Sequence, residues 1–216
     1  MQHKHIVIGG VAALAAIVVA GCAGMPSSED LDRQTAAMLK ASFSERGIAK
    51  MDRLDQDLGQ KACSSAQPPS EAVAKRVVDE ALATIKMPSD GRYIGDWKAG
   101  EKLAQNGRGM SWSDKSAEPS ENGGSCYNCH QISKQELSYG SIGPSLYNYG
   151  KLRGVKDVAD PASKPMIQYT WAKIWNSKAF AACSDMPRFG HAKLLDESQI
   201  RDVMALLLDP QSPVNQ

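Results

Sequence analysis

Apolar positions along this chain recur mostly at the spacing of one helix face, which predicts a mostly helical protein. Residues 31–58 read as helical. Met38, Leu39 and Phe43 form one face, Ile48, Met51, Leu54 and Leu58 form another, and Gly47 marks a break between them. Residues 63–69 hold two prolines and read as a loop, and Ser70 can cap the next helix. Val73, Val77, Val78, Ala81, Leu82 and Ile85 then predict an amphipathic helix over 71–86, ended by the run Met87-Pro88-Ser89-Asp90-Gly91. A short helix is expected over 96–106, with Trp97, Gly100, Leu103 and Ala104 on or near one face and Gly107 and Gly109 beyond its end. Residues 110–125 are polar and read as an exposed loop. Ile167, Trp171, Ile174 and Trp175 share a buried face over 165–179, as core and cavity wall rather than an electron path. The last helix carries the clearest signals. Asp196 caps it, Gln199 completes a capping box, Ile200, Val203, Met204, Leu207 and Leu208 form the stripe, and Pro210 stops it.

The first residues form an address rather than a folded element. Lys4 precedes an apolar run over 6–20, which is of signal-peptide length and short for a bilayer span. The run ends Val19-Ala20-Gly21-Cys22. Small residues directly before a cysteine resemble a lipobox, so Cys22 is the expected lipidation site and a membrane tether. Ordinary secretion, with cleavage nearby, is the alternative. Both readings place the mature chain in the bacterial periplasm. The resulting division is a signal peptide over 1–21, an N-terminal helical extension over 22–89 and a domain over 90–216. A formal charge of +1 argues against nucleic acid as a partner.

Chemistry concentrates at Cys126-Tyr127-Asn128-Cys129-His130. C-x-x-C-H is the attachment signal for a c-type haem. Two thiols add across the two vinyl groups, and the adjacent histidine falls beneath the iron. Zinc is the competing reading of C-x-x-C. It would need two more ligands, and only His130 and His191 remain of four histidines once the leader is removed. Ser141-Ile142-Gly143-Pro144-Ser145-Leu146 follows shortly. A carbonyl in this turn can accept the second imidazole N–H and fix the ring, which makes Pro144 a haem-side residue.

Of five cysteines, Cys22 is assigned to lipid or leader and two to haem. Cys63 and Cys183 remain, and in an oxidising compartment a disulfide is the preferred reading over two buried thiols. The opposite face of the iron could take a methionine, His191, a lysine or nothing. Met186, in the loop between the last two helices, is the best candidate, and His191 is second. A Cys63–Cys183 bridge would anchor that loop three residues from Met186. A thioether suits an electron carrier because it favours the ferrous state and raises the potential.

Gly124-Ser125-Cys126-Tyr127-Asn128-Cys129-His130, Tyr139-Gly140-Ser141-Ile142-Gly143-Pro144-Ser145-Leu146 and Met186-Pro187-Arg188-Phe189-Gly190-His191 together resemble the SoxX family. These are mono-haem subunits of the SoxAX cytochromes of sulfur-oxidising bacteria. Residues 95–101 and 209–215 share the likeness, while the stretch before residue 90 does so less specifically. The resemblance implies an all-α class I cytochrome c domain with an N-terminal helical extension. Its first and last helices cross, with Gly100 permitting close approach. It implies one covalent haem c on Cys126 and Cys129, with His130 and Met186 as iron ligands. It also implies membership of an L-cysteine S-thiosulfotransferase that conjugates thiosulfate to a cysteine of the carrier protein SoxY. The bond-forming site is then expected in the SoxA partner, with this chain carrying electrons to a small soluble cytochrome c and no catalytic residue of its own. A free-standing periplasmic electron shuttle and a haem-based sensor are the alternatives.

Overall fold

The computed structural model describes residues 26–216. The leader and Cys22 lie outside the described residues. Contacts divide the chain between Ser44 and Glu45. Among the described residues before that division lies one helix, α1 (Ser28–Ser42), which Ser27 and Asp30 open with a reciprocal capping box.

The second unit, residues 45–216, holds α2 (Leu58–Cys63), α3 (Glu71–Ala83), α4 (Trp97–Gln105), α5 (Tyr149–Leu152), α6 (Lys164–Trp175) and α7 (Glu197–Leu208). No strand occurs among the described residues, and one isolated bridge joins Arg46 to Ala49. The all-α class I cytochrome c fold is therefore the one observed.

Residues 45–89 of the expected N-terminal extension pack into the same unit as the rest, where their polar and apolar groups are spent. Trp171 Nε1 donates to Lys86 O at 2.8 Å, Trp175 Nε1 donates to Thr84 O at 2.9 Å, and Asn176 Nδ2 donates to Thr84 Oγ1 at 2.9 Å. A buried indole N–H needs an acceptor, and both indoles find theirs on the chain just beyond α3.

The expected helix over 31–58 is interrupted more heavily than Gly47 alone suggested. After α1 the chain turns at Gly47, where φ is +52°. A Cβ there would lie 2.3 Å from Asp114 O and 2.4 Å from Trp112 O, so the turn lies directly on the loop beyond α4. Arg46 stacks over the Trp112 ring at 4.8 Å. Residues 51–54 form a single 3-10 turn, and helix resumes only at α2, where Asp57 and Gln60 cap reciprocally. Cys63, expected in a loop, ends that helix.

Helices α4 and α7 cross at the heart of the molecule. A Cβ on Gly100 would meet Asp202 O at 2.1 Å, so only glycine allows the approach. Gly95 N donates to Arg201 O at 2.9 Å, and Asp96 N donates to the Asp202 carboxylate at 2.8 Å. On the other side, α7 buries Ile200, Met204, Leu206 and Leu208 completely.

The chain end is built in. Asn215 Oδ1 accepts from Gly150 N at 2.9 Å and Lys151 N at 3.2 Å, while its Nδ2 donates to Leu207 O and Asp209 O. One buried amide thus serves free backbone groups at the start of α5 and the end of α7. Replacing Asn215 by Ala leaves these groups unpartnered. The expected loss of stability is about 1–3 kcal/mol, measured by urea unfolding of the haem-loaded protein against wild type.

Candidate haem site

The Cys126–His130 motif is a single helical turn. Cys129 N and His130 N both donate to Cys126 O, at 3.1 and 2.9 Å. Ser125, in the left-handed region at φ 48°, starts the turn. The preceding residues hang on the end of α4, with Gly124 N donating to Leu103 O at 2.8 Å and Ser125 N to Asn106 O at 2.9 Å. Gly123 is required there, since a Cβ would lie 2.0 Å from Asn106 O. Tyr127, between the two cysteines, is buried, and its hydroxyl donates to the Glu101 carboxylate at 2.9 Å. Burial and that acceptor hold the phenol well above its usual pKa, so it stays a donor.

Residues 140–146 run back along the motif. Gly140 N donates to Tyr127 O, Gly143 N to Cys129 O and Leu146 N to Gln131 O, at 2.7–2.8 Å. Gly143 lies on the imidazole, because a Cβ there would meet His130 Cε1 at 2.1 Å. Pro144 O is 2.7 Å from His130 Nδ1. A carbonyl only accepts, so Nδ1 carries the proton and Nε2 keeps its lone pair free.

Both cysteines and His130 line a cavity of about 580 Å³. That lies within the roughly 300–1,000 Å³ usual for small-molecule and cofactor sites. Its wall is mostly apolar, with Ile132, Leu146, Ile174, Phe189, Leu195, Val203, Leu206 and Leu207. Met186 lines the same cavity, while His191, the second candidate, is exposed and absent from the wall. The Met186 backbone is held by Ser177 Oγ, which donates to Met186 O at 2.6 Å. The Cys63–Cys183 disulfide is present, linking α2 to the Met186 loop.

These residues fit haem c. Two unbridged thiols, an imidazole with its outer nitrogen spoken for, and a thioether face one apolar cavity. Burial pushes the Cys126 thiol up to about 12, so Cys126 is a neutral thiol near neutral pH. Arg153 and Lys173 are the basic residues of the wall, and Asp185 is its single acidic residue. That balance suits a cofactor that brings carboxylates of its own. Zinc lacks such a set, since among the described residues no three of His, Cys, Asp and Glu are placed so that they could hold a metal ion.

Comparison with known proteins agrees with this geometry. Residues 98–209 match the cytochrome c family. The chain belongs to the cytochrome c family. It is also similar to an "Uncharacterized lipoprotein" of Aquifex aeolicus (strain VF5), with 39% identity over 166 residues, spanning 74% of this chain and 73% of that protein. As a cytochrome c it carries covalently bound haem c and is an electron-transfer domain. Cys126 and Cys129 would bond the haem through thioethers and His130 would supply a nitrogen to its iron, while Met186 places a thioether on the same cavity wall.

The structure adds wall residues that periodicity did not single out. Tyr149 is buried, its hydroxyl within 3.0 Å of Thr170 Oγ1, and the Arg153 guanidinium stacks on its ring at 3.7 Å. Burial lowers the Lys173 ammonium. Conversely, Trp171 and Trp175 are core but not cavity wall. They stack on one another at 6.1 Å and face the residues after α3, leaving Tyr169, Thr170, Lys173 and Ile174 to line the cavity from α6. The spacing of an apolar stripe shows which residues are buried but not against what. Gly143→Ala is expected to push the 140–146 turn off the imidazole and cost about 1–3 kcal/mol. Urea unfolding followed at the Soret band measures this, and an unchanged midpoint would mean that the turn can move aside without loss.

Proposed function

We propose that this chain is the electron-carrying subunit of a SoxAX-type enzyme, with His130 and Met186 as its iron ligands. The observation that carries this reading is convergence. The three segments that resemble SoxX, around Cys126–His130, Pro144 and Met186, line one cavity although the Met186 segment lies far from the other two in sequence.

Haem c, when bound, supplies a one-electron iron couple. The chain's residues prepare the place for it. Pro144 O fixes the His130 tautomer, so in the neutral ring Nε2 is the nitrogen that presents a lone pair. Met186 offers an uncharged sulfur, which favours the reduced state. The apolar wall keeps water away and lowers the local dielectric, which further disfavours the more highly charged oxidised centre. In this reading Cys126, Cys129 and His130 are taken by the haem, and bond formation is assigned to a partner. Thiosulfate and a carrier-protein thiol join through a new S–S bond, giving an S-thiosulfonate, one proton and two electrons. This subunit would relay those electrons one at a time to a soluble cytochrome c. The "lipoprotein" name of the Aquifex relative and the Gly21-Cys22 junction support a site outside the cytoplasm, tethered through lipid on Cys22.

A free-standing electron shuttle is the second reading, and one observation favours it. Residues 45–89 pack in one unit with the haem domain, so a long N-terminal segment is no argument for a partner.

Two measurements bear on these readings. Met186→Ala should give a ferrous protein that binds carbon monoxide at least about tenfold faster than wild type, by stopped flow, and an unchanged rate would remove Met186 from the iron. Gentle native purification from membrane and periplasmic fractions should recover a stoichiometric second haem protein, with thiosulfate-dependent activity in the pair. A solitary haem protein that exchanges electrons without a partner would establish the shuttle instead.

A further inference from the structure

We propose that α2, with its cap residue Asp57, is a positioning clamp that holds Met186 toward the iron by gripping its loop on both sides. The proposal rests on the reading of Met186 as an iron ligand. On one side Cys63 is bonded to Cys183, three residues before Met186. On the other, Arg188, two residues after Met186, donates Nη1–H to Asp57 Oδ2 at 2.6 Å.

The two gripping residues are the opposite ends of one rigid element. Asp57 is the N-cap of α2 and Cys63 is its last residue. At about 1.5 Å of rise per residue, they stand about 9 Å apart along the helix axis. The loop from Cys183 to Arg188 could extend to roughly 17 Å. The gripped loop is longer than the strut, and between the two grips Met186 lines the cavity together with Ser184, Asp185 and Pro187. The carboxylate of Asp57 divides its work. Oδ1 accepts from Gln60 N at 2.8 Å and caps the strut, leaving Oδ2 for Arg188.

The strut is also seated against the domain. Gly59 is buried, and a Cβ there would already be 3.2 Å from Lys178 Cδ and 3.3 Å from Val77 Cγ1. A thioether is a neutral, weakly held ligand that competes poorly once its loop can wander. Two fixed ends keep its effective concentration at the iron high without any added bond to the metal. The grips are unequal. The ion pair is partly exposed, at 21% and 40% of the two side chains, and such pairs hold weakly. The disulfide is covalent and carries most of the constraint.

The test uses the haem-loaded full chain in the ferrous state and reads carbon monoxide binding, the reduction potential, and the ferric thioether-to-iron charge-transfer band. Cys63→Ser with Cys183→Ser and Asp57→Asn should bind carbon monoxide about 10–100-fold faster than wild type, with a weakened ferric band and a lower potential. Asp57→Asn alone, which keeps a capping side chain, should fall between the two. Should the triple variant fail to fold, a dithiol reductant can open the bridge in wild type. The bridge then gains two electrons and two protons while the dithiol closes to its own disulfide, and the ferrous assay tolerates the reductant. Wild-type rates in the folded variant, or in reduced wild type with its opened thiols confirmed by alkylation, would overturn the clamp. Met186→Ala separates the two levels. A fast Met186→Ala protein beside slow clamp variants overturns the clamp alone, whereas wild type as fast as Met186→Ala overturns the ligation, and the clamp with it.

Discussion

A histidine can present a lone pair to a metal only when its other ring nitrogen holds the proton, and here that nitrogen, Nδ1, lies 2.7 Å from Pro144 O, which can only accept. Much of the local backbone depends on this one bond. The carbonyl reaches the ring because residues 140–146 lie flat on the haem-binding turn. They can do so only because Gly140 and Gly143 have no side chains to strike Asn128 O and the imidazole. The turn itself is held by Leu103 and Asn106 at the end of α4, and α4 is positioned by its crossing with α7 through Gly100. A chain of contacts thus runs from the tightest helix crossing in the fold to the orientation of one imidazole ring.

The two faces of the cavity are built by different means. The His130 face is held by local hydrogen bonds, with its contacts drawn from a short stretch of sequence. The Met186 face belongs to a loop with little regular structure, so it depends on distant residues: Ser177 beneath it, Cys63 and Asp57 at its edges. This asymmetry matches the chemistry of the two donors. An imidazole adjoining two covalently attached cysteines cannot drift far. A thioether has no such tether, and a redox centre whose sixth ligand comes and goes would change potential with it.

Whereas the Gly100 crossing followed from the family resemblance, the haem-binding motif and the Pro144 acceptor were legible in the sequence because each is a local chemical requirement. Only certain residue types at certain spacings can satisfy it. The α7 boundaries were legible for the same reason, since Asp196 and Gln199 do satisfy each other's backbone N–H groups. Residues 45–63 were not. Ile48, Met51, Leu54 and Leu58 have helical spacing, yet close contact of Gly47 with the carbonyls of Trp112 and Asp114 dictates a turn there, and no local pattern carries that information. The same limit explains the tryptophans. Trp171 and Trp175 share a stripe with Ile174, but the stripe is wide enough that one edge faces the cavity and the other faces Thr84 and Lys86.

The packing of residues 57–86 changes where exchange with another protein can take place. Val77 and Ala81 are buried, and the carbonyls of Thr84 and Lys86 are taken by indole N–H groups of α6. That segment acts as a scaffold for α6 and the Met186 loop. Electron exchange needs close approach to the cofactor, and the cavity wall comes to the surface elsewhere. Ile142, beside the His130 turn, is 76% exposed although it lines the cavity, and Tyr169 is exposed on the α6 side. Both side chains therefore belong at once to the cavity wall and to the surface.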